Sequence, residues 1–335
     1  MRASALLVCV FLFFSLCVSA QVTDFSQVDF RKADSVVQRY PNHSLRDLKR
    51  LAGKLTMPLP TEEEKFRAIY TWVCNNIEYD YALYVKNKQK EKYSNREELK
   101  AWNKKFSALV FKNLLNKQRT VCSGYAYLVR ELASHAGLTC VIIDGYGRTS
   151  QANLRGSGKA NHSWNAIQLN GKWYLCDATW SSGAIATGSL RFIKKFDASY
   201  FLADPALFVR NHYPSDSSWM LLQHKPTLKE FLNGPLIYSS AFKYKINTLL
   251  PETFDITTDR GKPVSFQFAS NSGEAIEHAE LYGMGIANST AFYSPFYRDS
   301  TGLYCIDHTF STKGTHLVHV LLNHSYAFTY TVKVR

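Results

Sequence analysis

The chain has 335 residues, 46% of them hydrophobic and 20% charged, with 20 Tyr and 21 Phe. That composition excludes a disordered or low-complexity chain, and apart from the N-terminus no apolar run reaches the ~18–20 residues that span a bilayer. Lys and Arg exceed Asp and Glu by 13, and the length points to about two domains.

Residues 1–20 read as a signal peptide. Arg2 supplies the positive start, the stretch ALLVCVFLFFSLC the apolar run, and Val18-Ser19-Ala20 the small-residue cut site before Gln21. Leu16 stands where a lipid-attachment motif needs a small residue before its Cys. The expectation is an exported protein, periplasmic or extracellular, with no stable membrane span once the signal is removed. Cys74, Cys122, Cys140, Cys176 and Cys305 remain, an odd set that leaves at least one free thiol and is too sparse for a disulfide scaffold.

Residues 21–60 form an N-terminal helical segment broken by Pro41, Pro58 and Pro60. Thr61 and Glu64 have capping-box spacing, and Phe66, Ile69, Tyr70, Val73 and Ile77 follow at helical spacing as a core face. They open a domain spanning 61–222. Within it, residues 86–119 carry eleven basic side chains against three acidic ones. A solvated helical hairpin accounts for this; the functional alternative is a docking face for an anionic surface or ligand. Nucleic acid is not an expected partner, because no RNP-like aromatic motif or helix-turn-helix accompanies the charge. Residues 223–240, with Pro226 and Gly234-Pro235, read as a connector. Residues 241–335 alternate strictly at Val264-Phe266-Phe268, Val318-Val320-Leu322 and Tyr326-Phe328-Tyr330-Val332-Val334. About seven short strands predict an immunoglobulin-like sandwich.

The chemistry lies in 120–222. Cys122 opens a helix whose buried stripe is Tyr125, Leu128, Val129, Leu132 and Ala136, with Gly137 at its left-handed end. Unpaired N–H groups and the dipole at a helix start stabilise a thiolate. Ser123 and Gly124 are small enough to let a substrate approach. Residues 161–169 read as a strand, Asn170-Gly171 as a type I′ turn and residues 172–179 as the return strand. A two-residue loop pairs Leu169 with Lys172, which makes His162 and Asp177 diagonal neighbours on one face, about 7 Å apart at the backbone. A one-residue slip would separate them. That arrangement suits a base and its orienting carboxylate, with the second imidazole nitrogen facing Cys122. His212 reads as packing. Gly156-Ser157-Gly158-Lys159 lacks phosphate-loop spacing, and Asn161 starts a glycosylation sequon where a glycan would block the site. No metal or cofactor is expected, since neither CxxC nor HExxH spacing occurs.

VCSGYAYL, NHSWNAI and WYLCDATW, in this order, resemble the transglutaminase-like superfamily of Cys-His-Asp enzymes. YFLADPALFVRNHYPSDSSWMLL resembles the extension of its kyphoscoliosis-peptidase-like branch. The resemblance covers about residues 60–222. It implies an α+β, papain-like core, with a Cys-bearing helix against an antiparallel sheet. It also implies Cys122 as nucleophile, His162 as general base and acid, and Asp177 as orienter. The implied reaction is acyl transfer at peptide or protein amides, hydrolysis being favoured over crosslinking. The Cys122 N–H is a natural oxyanion donor, and Gln118 and Trp102 compete for the second donor position. The alternatives are a protein crosslinker, a non-enzymatic binding or assembly protein on the same fold, and a C-terminal domain that holds the function.

Overall fold

The computed structural model describes residues 24–25, 27–149, 160–186, 188–285, 289–292, 294 and 296–335. The expected signal segment and the 156–159 loop lie outside the described residues. Helices α1 (Arg31–Gln38) and α2 (Leu48–Thr56) precede α3 (Glu62–Asn76). Thr61 accepts from the Glu64 N–H and the Glu64 carboxylate accepts from the Thr61 N–H, so the predicted capping box starts α3. From Phe66 onward α3 is buried on more than one face: Ala68, Trp72 and Cys74 are as fully covered as Phe66, Ile69 and Val73. It is a central helix rather than a surface one.

Helices α4 (Tyr81–Tyr93) and α5 (Arg96–Lys117) form the basic hairpin. Leu83 and Val110 form a small cluster with Val121, Trp102 is buried beside it, and Leu114 reaches the core of α3 and α6. At its base, β1 (Glu78–Tyr79) and β2 (Arg119–Thr120) pair in parallel, so Tyr79 sits opposite Thr120. Asp80 fastens this base: it accepts from the Leu83 N–H and from the Asn113 amide at 2.9 Å, and Arg119 lies 4.0 Å away.

Helix α6 (Cys122–His135) lies on an antiparallel sheet of order β5-β4-β3-β8. The strands are β3 (Thr139–Gly147), β4 (His162–Leu169), β5 (Lys172–Cys176) and β8 (His212–Pro214). Asn170 and Gly171 both have positive φ, 49° and 79°, as a type I′ turn requires. The pairing runs from Leu169–Lys172 to Asn165–Cys176, the register predicted from the turn. The return strand stops earlier than expected, at Cys176. Asp177 instead caps the short helix α7 (Ala178–Ser182), accepting from the Thr179 and Trp180 N–H groups. A carboxylate that meets two free amides favours a helix start over a continued strand.

The sheet is buried on both faces. Ile167, Leu169 and Cys176 pack with α3 and α6, while Trp164, Ala166 and Leu175 join a second core that continues through Tyr200 and Phe208 into the C-terminal strands. After α7 come β6 (Gly183–Ile185), β7 (Phe192–Lys194) and α8 (Pro205–Phe208). Residues 223–240 contain α9 (Leu228–Asn233) and β9 (Leu236–Ile237), with Phe231, Leu236 and Ile237 buried. Arg148 at the end of β3 donates to the carbonyls of Phe231, at 3.0 Å, and Gly234.

Past α10 (Ser239–Lys243) two sheets face each other. One holds β10 (Ile246–Leu250), β12 (Pro263–Ser270), β15 (Phe296–Arg298) and β16 (Tyr304–Thr309). The other holds β11 (Asp255–Thr258), β13 (Ala279–Gly285), β14 (Ser289–Phe292), β17 (Gly314–Leu322) and β18 (Ser325–Val334), with β9 at its side. Phe266, Phe268 and Ile306 meet Val318, Val320, Phe328 and Tyr330 between them. The fold class is therefore α+β with a β-sandwich behind it, as the alternation predicted, although the described residues give nine strands after residue 241, ten with β9, rather than about seven. Among the described residues no helix is long and apolar enough to cross a membrane.

Candidate active site

Cys122 is the first residue of α6, half-buried, and its N-cap Val121 offers no side-chain cap. The Cys122 and Ser123 N–H groups therefore meet no side-chain cap, while the Gly124 N–H donates to the Val121 carbonyl at 2.9 Å. Gly124 does something different from what its size implied. A Cβ there would lie 1.9 Å from Thr120 Oγ1, so this glycine lets β2 press against the first turn of α6 and does not open a substrate path.

His162 begins β4 and Asp177 follows β5. Their side chains meet with His162 Nε2 at 2.7 Å from Asp177 Oδ2. Cys122 is near enough to act on the charge of the same ring, and with Nε2 taken by Asp177 the nitrogen left for the thiol is Nδ1. The structure thus brings together the three residues that sequence reasoning selected, although Asp177 arrives from a helix cap rather than from a strand. Burial pushes the His162 imidazole toward its neutral form, but the Asp177 charge and hydrogen bond outweigh it, with Cys122 adding to them. The ring is held charged, its pKa raised to about 10. Asp177 is 1% exposed. Burial alone would raise its carboxyl pKa; the charge and hydrogen bond of His162, joined by His212, hold it below the ordinary carboxylate range.

His212 is the participant that sequence reasoning missed. Its Nε2 lies 3.0 Å from the same Asp177 oxygen, and its Nδ1 lies 2.6 Å from the Asn211 side-chain oxygen. The ring is fully buried, stacked on Phe208 at 4.0 Å and set against Trp180 at 4.3 Å. Burial pushes its pKa down to about 4, the Asp177 interactions opposing this and the His162 charge adding to it. Burial favours the neutral ring, which donates from Nε2 to the carboxylate; its bare Nδ1 then needs the Asn211 amide turned so that the NH2 and not the oxygen faces it. With the two amides of α7, Asp177 accepts four hydrogen bonds and cannot swing away from His162. One signal was legible: Arg210-Asn211-His212 is a polar trio directly after the apolar stretch Pro205–Val209, and buried polar groups need partners.

Neither proposed second oxyanion donor is free. Gln118 Nε2 donates to the His43 carbonyl at 2.7 Å and Trp102 Nε1 to Asn87 at 2.8 Å. The Asn161 amide is tied to the Gly147 backbone through both its nitrogen and its oxygen. Cys74, Cys176 and Cys305 are buried, Cys140 is half-buried, and all four are unpaired like Cys122. Burial raises the Cys140 thiol to about 12. Among the described residues, the group of ligand-type atoms close enough to hold a metal is His162, Asp177 and His212. Its 2.7 and 3.0 Å separations are those of hydrogen bonds, and each pairs an imidazole with a carboxylate oxygen.

A thiol at a helix start beside an imidazole on the neighbouring sheet, oriented by a buried carboxylate, is the arrangement expected of a transglutaminase-like domain. Residues 49–178 match the family model described as the transglutaminase-like superfamily. Kyphoscoliosis peptidase of Homo sapiens is 33% identical over 245 residues, covering 70% of this chain and 34% of that protein. Its Mus musculus counterpart is 32% identical over 246 residues, with 70% and 34% covered. Hillarin of Drosophila melanogaster is 28% identical over 239 residues, with 67% and 26% covered. The chain belongs to the kyphoscoliosis-peptidase-like branch of the superfamily. It spans about a third of the length of the kyphoscoliosis peptidases it matches.

Proposed function

We propose that this protein is an exported thiol enzyme that cleaves peptide or protein amide bonds through an acyl-enzyme. The observation that carries the reading is the buried His162–Asp177 hydrogen bond, with Cys122 acting on the same ring from the start of α6. His162 held as imidazolium supplies the counter-charge for a Cys122 thiolate. The thiolate attacks the amide carbonyl, and the oxyanion is met by the Cys122 N–H at the start of α6. The C–N bond breaks as His162 gives its proton to the leaving amine, and a thioester remains. His162, now neutral, takes a proton from water, the hydroxide displaces the thiol and the acid leaves. Asp177 stays ionised throughout and stabilises the imidazolium. His212 and the α7 amides fix Asp177 and neither gain nor lose a proton. The name of the kyphoscoliosis peptidases favours hydrolysis over crosslinking. The export reading rests on the sequence of residues 1–20.

Incubation with peptide amides, followed by intact-protein mass measurement after acid quench, tests this reading. A thioester adduct on wild type but not on Cys122→Ala, with free acid released and no amine conjugate when glycine amide is added, is the expected result. Conjugate in place of acid would identify a crosslinker; no adduct with any peptide, while Cys122 still alkylates, would refute the enzyme reading. Recovery of the full chain from cell lysate with residues 1–20 still attached would refute export.

A further inference from the structure

Beside Cys122 the surface is built from rings. Tyr79 lies opposite Thr120, two residues before Cys122, and both Tyr79 and Tyr84 are near enough to feel the charge of Cys122. Ring centroids step from Tyr81 to Tyr84 at 6.0 Å, from Tyr84 to Tyr79 at 6.1 Å and from Tyr79 to Phe192 at 6.4 Å. A groove of about 750 Å³ runs over Tyr79, Tyr81 and Phe192, between α4 and the β6–β7 hairpin. Val85 and Leu190 complete its apolar lining, and Leu190 is 58% exposed. An aromatic floor open to water beside a nucleophile is a surface waiting for an apolar group.

The rim of the groove is basic. Lys86 and Arg191 join Arg119, which also lies 4.0 Å from Asp80, and the acidic residue of the lining, Glu78, already acts on Lys194. The rim runs on into the 86–119 hairpin with its eleven basic and three acidic side chains. Concave shape, ring lining and closeness to Cys122 favour a polypeptide over a flat charged surface.

We propose that this groove seats an extended, acidic polypeptide segment. An apolar side chain rests on Tyr79, Tyr81 and Phe192, carboxylates pair with Lys86, Arg119 and Arg191, and the neighbouring amide is delivered to Cys122. The proposal rests on the acyl-transfer reading and names the substrate class for it.

The test uses two peptides identical except that Glu flanks a central Phe-Gln in one and Lys in the other. Each is asked how far it slows iodoacetamide alkylation of Cys122, which reads occupancy whether or not an acyl-enzyme forms. The acidic peptide protects wild type at lower concentration than the basic one. In the double variant Lys86→Glu, Arg191→Glu its half-protecting concentration rises about tenfold, the size expected when two exposed ion pairs become repulsions. Both side chains are exposed, and protection is scored against each protein's own alkylation rate without peptide, so a direct effect of the two substitutions on the thiol cancels. Equal protection by both peptides, or a preference that survives the double variant, overturns the groove. Loss of co-sedimentation with phosphatidylserine vesicles in the double variant, with peptide protection intact, makes the rim a membrane contact and also overturns it. Protection by the acidic peptide without any thioester leaves the groove standing and removes the enzyme reading.

Discussion

Helices α3 and α6 and the α4–α5 hairpin follow one another closely in the chain, yet they are held in opposite ways. Leu128, Val129 and Leu132 of α6 and Phe66, Ile69 and Trp72 of α3 are each at most 1% exposed, inside one continuous core. The hairpin touches that core at Leu114 and otherwise rests on Leu83, Val110 and Val121, on a Trp102–Asn87 hydrogen bond and on the Asp80 fastening, and it leaves Phe111 and Leu115 partly in water. The nucleophile rides on the first kind of helix and the basic face on the second. A reacting sulfur must be held in place, and that needs a packed helix; a surface that receives a chain has only to keep its charge outward.

The hardest blow to this contrast falls on the buried side. Asp177→Asn should lower the acylation rate by about 10³-fold or more, because the imidazolium loses its ionic partner. The thermal midpoint should fall as well, because the Asn NH2 faces the two imidazoles that Oδ2 had served while its oxygen keeps the α7 cap, so turnover is compared at a temperature where both proteins are folded. Turnover within tenfold of wild type would remove Asp177 from the mechanism. Gly124→Ala should destabilise the domain by about 1–3 kcal/mol in urea unfolding, because the added methyl meets Thr120 with the surrounding core unable to yield. A neutral result would mean that β2 is as loosely held as the hairpin, and the contrast would fail there.

His212→Gln should slow acylation about tenfold, since one of the four bonds to Asp177 is replaced by a poorer one. The same variant should change the pH dependence of stability. In the wild type the folded protein resists protonating His212 until about pH 4, whereas the unfolded chain protonates near 6.5. The unfolded chain therefore holds the extra proton across that window, so stability falls as pH drops from 6.5 toward 4. The variant should flatten this limb in urea midpoints measured at successive pH values. His162 acts in the opposite sense: the folded protein keeps its proton up to about pH 10, so its contribution is complete below 6.5 and fades as pH rises toward 10. An unaltered acid limb in His212→Gln would show that this ring is already charged in the fold.

The smallest effect sharpens the comparison and alters no residue. Amide hydrogen exchange should be faster in α4 and α5 than in the interior turns of α3 and α6. Equal protection would place the hairpin in the same cooperative unit as the core.

The parts legible in advance were those governed by short-range rules. Thr61 and Glu64 start α3 because a hydroxyl and a carboxylate three residues apart satisfy two end amides. Asn170-Gly171 sets the β4–β5 register because both positions need positive φ, and that register carries His162 toward Asp177. The strict alternation after residue 241 predicts paired sheets because side chains of a strand alternate faces. What the sequence withheld depends on contacts between distant segments. Gly124 faces Thr120 only because β2 is drawn against α6 by its pairing with β1. Asp177 leaves its strand for a helix cap, and His212 comes back 35 residues later to share the same carboxylate oxygen because β8 pairs with β3. Periodicity and capping act over a few residues and can be read along the chain. The bonds around a buried carboxylate are settled by which strands lie side by side, and that is decided only when the whole core closes.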